Sequence, residues 1–158
     1  MQCMKQKARE WQYRIVEDLK VNKEALFVCF TFSIKGYQEL NEKEIVRQNP
    51  ETKELEKIKI ADLKGYAKDN AIAAKGMRYF LELWRKHKGK SLRHWAVTEI
   101  GGNNQENIHI HAIVWTKERE ELERLWRWGI VWSGNKKNEK VVNYVNARTA
   151  NYIVKPIS

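Results

Sequence analysis

WAVTEIGGNNQENIHIHAIVW, residues 95–115, decides how the rest of the chain is read. Its two ends have the residue pattern of strands, and Gly101, Gly102, Asn103 and Asn104 between them tolerate the positive φ of turns. The pattern predicts strands over 93–100 and 108–115. Side chains alternate between the faces of a strand. His109, His111, Ile113 and Trp115 therefore share one face, and Ile110, Ala112 and Val114 the other. Trp95, Val97 and Glu99 share a face of the first strand. If the two strands pair across the turn, Glu99 can lie beside both histidines. Two imidazoles and a carboxylate make a mixed nitrogen and oxygen donor set. It suits Mn²⁺ or Mg²⁺ with positions left for water and a phosphate oxygen, and Zn²⁺ or Fe²⁺ would also accept it. A His-x-His pair alone has a plainer explanation, two strand histidines with ordinary hydrogen bonds. The acidic residue on the adjoining strand is what argues for a metal.

The composition narrows the partners. Thirty Lys and Arg against twenty Asp and Glu give the 158-residue chain a net charge of +10. Such a charge favours nucleic acid or a membrane surface. Seven Trp and six Tyr offer flat faces for exposed bases, although most of the tryptophans are expected in the core. Of the two cysteines, Cys3 and Cys29, the second sits in an apolar run and reads as a buried free thiol. No disulfide framework is implied, which fits a reducing compartment. No signal-peptide pattern and no apolar run of membrane-spanning length is present, so a soluble intracellular protein without a membrane partner is expected.

Along the chain, 5–20 has the spacing of an amphipathic helix, with Ala8, Trp11, Ile15, Val16 and Leu19 toward the core. Lys5, Lys7, Arg9 and Arg14 make the rest of its surface basic and are candidate phosphate contacts. Residues 25–33, ALFVCFTFS, read as a central strand covered on both faces, ended by Gly36. The stretch 37–65 is highly charged and lacks clear periodicity. It is taken as an insertion or flexible crossover, with a short helix near 40–47 and an edge strand over 55–60. A helix over 69–87, capped by Asp69 or Asn70, carries an apolar stripe of Ala73, Met77, Phe80, Leu81 and Trp84. His87, among basic residues at its end, is read as a surface residue. Beyond the hairpin come a helix over 117–128, capped by Thr116 and stopped by Gly129, then strands over 130–132 and 140–145. A helix over 148–154 finishes near Lys155 because Pro156 follows. The order predicts an α+β domain spanning 1–158. Its central sheet, antiparallel or mixed, has about five strands with helices packed on it.

Tyr152 and Lys155 are three residues apart and share a helix face with Arg148. An isolated Tyr-x-x-Lys is ordinarily a half-buried tyrosine beside a surface cation. With a metal site and a basic chain it gains a chemical sense. A phenol with a pKa of about 10 is a poor nucleophile at neutral pH. A divalent ion that polarises a phosphodiester, and a lysine that favours phenolate or holds a phosphate oxygen, would make it effective.

The acidic residue in TEIGG, the His-Ile-His in NIHIHAIVW and the Tyr-Ile-Val-Lys near the end occur in an order that resembles the HUH endonucleases, the rolling-circle replication initiators. ALFVCFTFS is similar to that family's first motif. KQKAREWQYRIVED resembles the initiators of small single-stranded DNA phages of the microvirus group, especially gokushoviruses. The resemblance covers most of the chain apart from 37–65. It implies that His109, His111 and Glu99 ligate the metal, that Tyr152 is the nucleophile and that Lys155 assists it. It also implies a Rep-like fold, Mn²⁺ or Mg²⁺ as cofactor, and an origin on single-stranded DNA, presented as a hairpin loop. A host helicase and polymerase are the implied protein partners, in the cytoplasm of a bacterium carrying the phage or plasmid. Two departures stand out. The second tyrosine, often four residues before the first in the phage proteins, is Arg148 here, and Tyr144 falls in a predicted strand, so a single-tyrosine mechanism follows. The paired N-terminal cysteines of the phage proteins are reduced to Cys3, as in a trimmed nuclease domain.

Two other functions fit parts of the pattern. A non-catalytic single-stranded nucleic-acid-binding module explains the charge and the aromatics but not the ordered Glu, His, His, Tyr and Lys. A single-tyrosine transposase would use the same chemistry on different DNA ends.

Overall fold

The computed structural model describes residues 4–21, 24–100, 108–137, 140–142, 145 and 149. In chain order its elements are α1 (Met4–Val21), β1 (Leu26–Thr31), α2 (Ile34–Asn41), β2 (Glu44–Gln48) and β3 (Leu55–Lys59). A 3₁₀ turn (Ile60–Asp62), α3 (Gly65–Lys88), β4 (His94–Ile100) and β5 (Ile108–Val114) follow. The last described elements are α4 (Arg119–Leu125), β6 (Val131–Trp132), β7 (Asn135–Lys137) and β8 (Lys140–Val142). The fold is α+β. Four strands form the main sheet in the order β4-β5-β1-β6, every pair antiparallel. β2 with β3, and β7 with β8, form separate two-stranded ribbons.

Alternation along β1 and β5 gives the main sheet two different faces. Val28, Phe30, Ile108, Ile110, Ala112 and Val114 point to one side and are at most 3% exposed. Against them α3 places Ile72, Ala73, Met77, Phe80 and Trp84. Each such large apolar side chain contributes about 1.5–3 kcal/mol when fully buried. Phe80 is at the centre, its ring 5.1 Å from Phe30 and 5.9 Å from Trp126. Phe80→Ala is therefore expected to lower unfolding free energy by about 3–5 kcal/mol, measured by chemical denaturation.

The opposite face carries a smaller cluster. Ile15 of α1 is buried on Ile113, with Val16, Leu19, Phe27, Trp95, Val97 and Trp115 packed around them. Trp11, expected in the core, is 40% exposed and lies at the helix edge, 4.4 Å from the Trp95 ring. Arg93 ties the helix to the sheet by bonding both carboxylate oxygens of Asp18 at 2.5 Å. The second face is thus covered at the end bearing Trp95 and Ile113.

Several boundaries differ from the sequence expectation. The helix expected near 40–47 is displaced: α2 ends at Asn41, and Glu44–Gln48 is a strand paired with Leu55–Lys59. The charged residues of that stretch have helical propensity, but pairing with a neighbouring strand overrides it. Within 37–65, Leu40 and Ile60 are fully buried in the main core. The long helix begins at Gly65, a turn before Asp69, which instead accepts a hydrogen bond from the Tyr37 hydroxyl. α4 ends at Leu125 because Trp126 and Trp128 turn inward, and the Trp126 indole N–H donates to the carbonyl of Thr31.

Two glycines act by close approach. Gly36 does not end β1 but lies inside α2, where a Cβ would collide with the backbone of Trp128. Gly129 is not the helix stop; it passes against the backbone of Thr31 and Phe32, where a Cβ would not fit. Among the described residues, no helix is long and apolar enough to cross a membrane. The turn 101–107, Cys3, Tyr144, Arg148, Tyr152, Lys155 and the helix expected over 148–154 lie outside the described residues, Thr149 apart.

Candidate metal centre

The register of the three central strands builds the site. Glu99 of β4 pairs with His109 of β5, which pairs in turn with Thr31 of β1. One step along, Val97 pairs with His111, and His111 with Cys29. Alternation puts Glu99, His109, His111 and Cys29 on the face that carries α1, beyond the end the helix covers. The histidines therefore stand on the middle strand, with a carboxylate on one side and a thiol on the other.

The distances are short. The Nε2 of His111 is 2.7 Å from Oε2 of Glu99, and the Nε2 of His109 is 3.7 Å from the same oxygen. The two imidazoles meet edge to face, with ring centres 4.7 Å apart. Phe27 lies parallel to His111 at 5.8 Å and meets Trp132 edge-on at 6.0 Å. Side-chain exposure grades from 11% at His111 through 24% at His109 to 48% at Glu99. The site is rooted in the sheet and opens toward solvent at the carboxylate. One ligand atom each from Cys29, His109 and His111 lies within 4.8 Å of the other two.

The electrostatics favour neutral imidazole at His111. Burial lowers its pKa below the usual histidine value, the neighbouring His109 pushes the same way, and Glu99 opposes both. A neutral imidazole is the form that ligates a metal. Burial, and then the charge of Glu99, raise the Cys29 thiol above its ordinary value. Two imidazole nitrogens, a carboxylate and a thiol within this space fit a divalent cation by donor type and spacing.

The structure thus gathers Glu99, His109 and His111, which the sequence pattern puts on neighbouring strands. It adds Cys29, read from the sequence as a buried thiol. The alternation of ALFVCFTFS puts Cys29 on one face with Phe27 and Thr31. Only the pairing of β1 with β5, between residues about eighty apart in the chain, sets it opposite His111. Lys5, Lys7, Arg9 and Arg14 are exposed along α1, as expected, and the Arg14 guanidinium sits 4.8 Å over the Trp11 ring. Trp11, Arg14, Arg93, Trp95 and Trp115 line a groove between α1 and the sheet edge.

A family model for replication-associated proteins, of the ORF2 and gene II protein type, matches residues 64–157. That span begins just before α3 and contains the hairpin β4–β5 together with Tyr152 and Lys155. No curated protein and no solved structure matches the chain.

Proposed function

Because this chain belongs to the replication-associated protein family of the ORF2 and gene II protein type, we propose that it initiates rolling-circle replication as a metal-dependent tyrosine endonuclease on single-stranded DNA. The observation that carries this proposal is the convergence of both imidazoles on one oxygen of Glu99, at the open end of the sheet face. The family match supports it further, since the matched span holds Glu99, His109, His111, Tyr152 and Lys155 in that order.

In this mechanism Glu99, His109 and His111 hold Mn²⁺ or Mg²⁺. The ion, when bound, polarises the scissile phosphodiester and offsets charge developing on its oxygens. Tyr152 gives up its phenolic proton and its oxygen forms a bond to phosphorus. The bond from phosphorus to the 3′ oxygen breaks, and that oxygen leaves with the electron pair and takes up a proton. The products are a 5′-phosphotyrosine link and a free 3′-hydroxyl. Lys155 stabilises the phenolate or holds a phosphate oxygen by a charge-assisted hydrogen bond. The covalent link conserves the bond energy, so attack by a 3′-hydroxyl on it rejoins the strand.

Lys5, Lys7, Arg9, Arg14 and Arg148 are proposed to contact phosphates, and Trp11 to stack on a base at the groove beside α1. Trp11→Ala is expected to weaken binding of a single-stranded oligonucleotide by about 1–3 kcal/mol. Fluorescence anisotropy at fixed salt measures it, and unchanged affinity would remove the groove from the DNA path.

The proposal as a whole is tested with end-labelled single-stranded origin oligonucleotide and Mn²⁺ on a denaturing gel. A slowly migrating protein–DNA band that disappears with chelator is expected. Intact oligonucleotide with every divalent metal would favour a binding module without catalysis.

A further inference from the structure

The proposed centre uses the carboxylate beside the histidine pair and leaves the thiol on the other side without a role. We propose that Cys29, His109 and His111 form a second, overlapping donor set that takes Zn²⁺ or a similarly thiophilic divalent cation, in competition with the harder ion held through Glu99. This inference rests on the histidine pair of the centre proposed above and adds a ligand to it.

The register is the basis. His109 and His111 stand on β5, with Glu99 on β4 to one side and Cys29 on β1 to the other. An ion on the histidine pair can therefore be completed from either flank. The three soft-side donors already lie within 4.8 Å of one another. A tetrahedral ion with ligand bonds of about 2.0–2.3 Å needs donors about 3.3–3.6 Å apart. Closing that gap takes small side-chain rotations and no change of strand pairing. The chemistry separates the two sets. Carboxylate oxygens suit Mg²⁺ and Mn²⁺, whereas a thiolate with two imidazoles selects Zn²⁺ and its relatives. Seating such an ion converts Cys–SH and M²⁺ to Cys–S–M⁺ and releases one proton to solvent. A set of three protein ligands keeps its fourth position for water, on the exposed side of the site. Zinc held this way is drawn toward β1 and excludes Mn²⁺ from the shared imidazoles.

Co²⁺ is the direct probe, because thiolate ligation gives a near-ultraviolet charge-transfer band that nitrogen and oxygen ligands do not. The purified chain titrated with Co²⁺ should develop that band, saturating at one ion per chain. Cys29→Ser and Cys29→Ala should each lose it, with circular dichroism reporting that the fold is kept, and Glu99→Gln should retain it. Zn²⁺ should displace the cobalt, and its affinity should fall at least about tenfold in Cys29→Ser. Cobalt bound through the histidines with no thiolate band overturns the second donor set and leaves the Glu99 centre standing. A band that survives both Cys29 substitutions assigns it to Cys3 and also overturns the inference. Absence of any Co²⁺ binding removes both centres.

Discussion

Tyr152→Phe should remove strand cleavage and the covalent protein–DNA species together, by a factor on the order of 10⁴ or more. The substitution deletes one oxygen, and in the proposed mechanism that oxygen forms the new bond to phosphorus. Binding does not use it, so the variant should hold the oligonucleotide and Mn²⁺ as the parent chain does. Tyr144→Phe is the control, since a single-tyrosine mechanism assigns Tyr144 no bond-making role. Its adduct should form at the parent rate. The gel that reports the adduct also separates a missing nucleophile from a missing metal. Added Mn²⁺ cannot restore Tyr152→Phe, because a phenyl ring has no oxygen to bond to phosphorus. An adduct persisting in Tyr152→Phe and lost in Tyr144→Phe would reassign the nucleophile.

The second large effect is expected at His111. Its Nε2 is the donor nearest Glu99, at 2.7 Å, and its side chain is the least exposed of the three. It is also the group that the carboxylate and thiol flanks share with His109. His111→Ala should therefore lower Mn²⁺ affinity by about 100-fold or more, since even outer-shell losses at metal sites cost about 10–100-fold. Calorimetric titration of Mn²⁺ measures it. Cleavage should be absent at Mn²⁺ concentrations that saturate the parent chain and should return in part at much higher concentrations. That concentration dependence is the signature of a lost ligand, and a purely structural defect would not produce it. His87→Ala, at the exposed end of α3, should change neither quantity.

How much of this arrangement is legible in the chain depends on the distance over which each contact is made. The hairpin is local. Alternation in HWAVTEI and IHIHAIV and the turn residues between them are enough to set Glu99 beside a histidine, and the observed register pairs it with His109. The stripe on α3 is local too, and its Ala73, Met77, Phe80 and Trp84 are buried as their spacing requires. Cys29 is different. Its chemistry depends on which strand lies beside β1, and that choice comes from the whole sheet, not from its neighbours in sequence. The same limit explains Glu44–Gln48, whose strand state exists only through pairing with Leu55–Lys59. It explains the early end of α4 as well. Thr31 and Phe30, distant in the chain, draw the Trp126 ring inward and break the helical spacing. The glycines at 36 and 129 are legible as punctuation but not as contact points, since the backbone each admits belongs to a distant segment.

The central claim is spatial: an ion held by Glu99, His109 and His111 faces the hydroxyl of Tyr152 across the width of one phosphate. Paramagnetic broadening by Mn²⁺, which falls as the inverse sixth power of distance, measures this in a chain of 18.8 kDa. With tyrosines labelled at Cζ and the Tyr152 resonance assigned by its loss in Tyr152→Phe, one equivalent of Mn²⁺ should erase that resonance. The resonances of His109 and His111 should vanish with it, while Tyr66 and Tyr79 on α3, behind the sheet, remain. A Tyr152 signal that stays sharp, with and without bound oligonucleotide, while the histidine signals disappear would contradict the account.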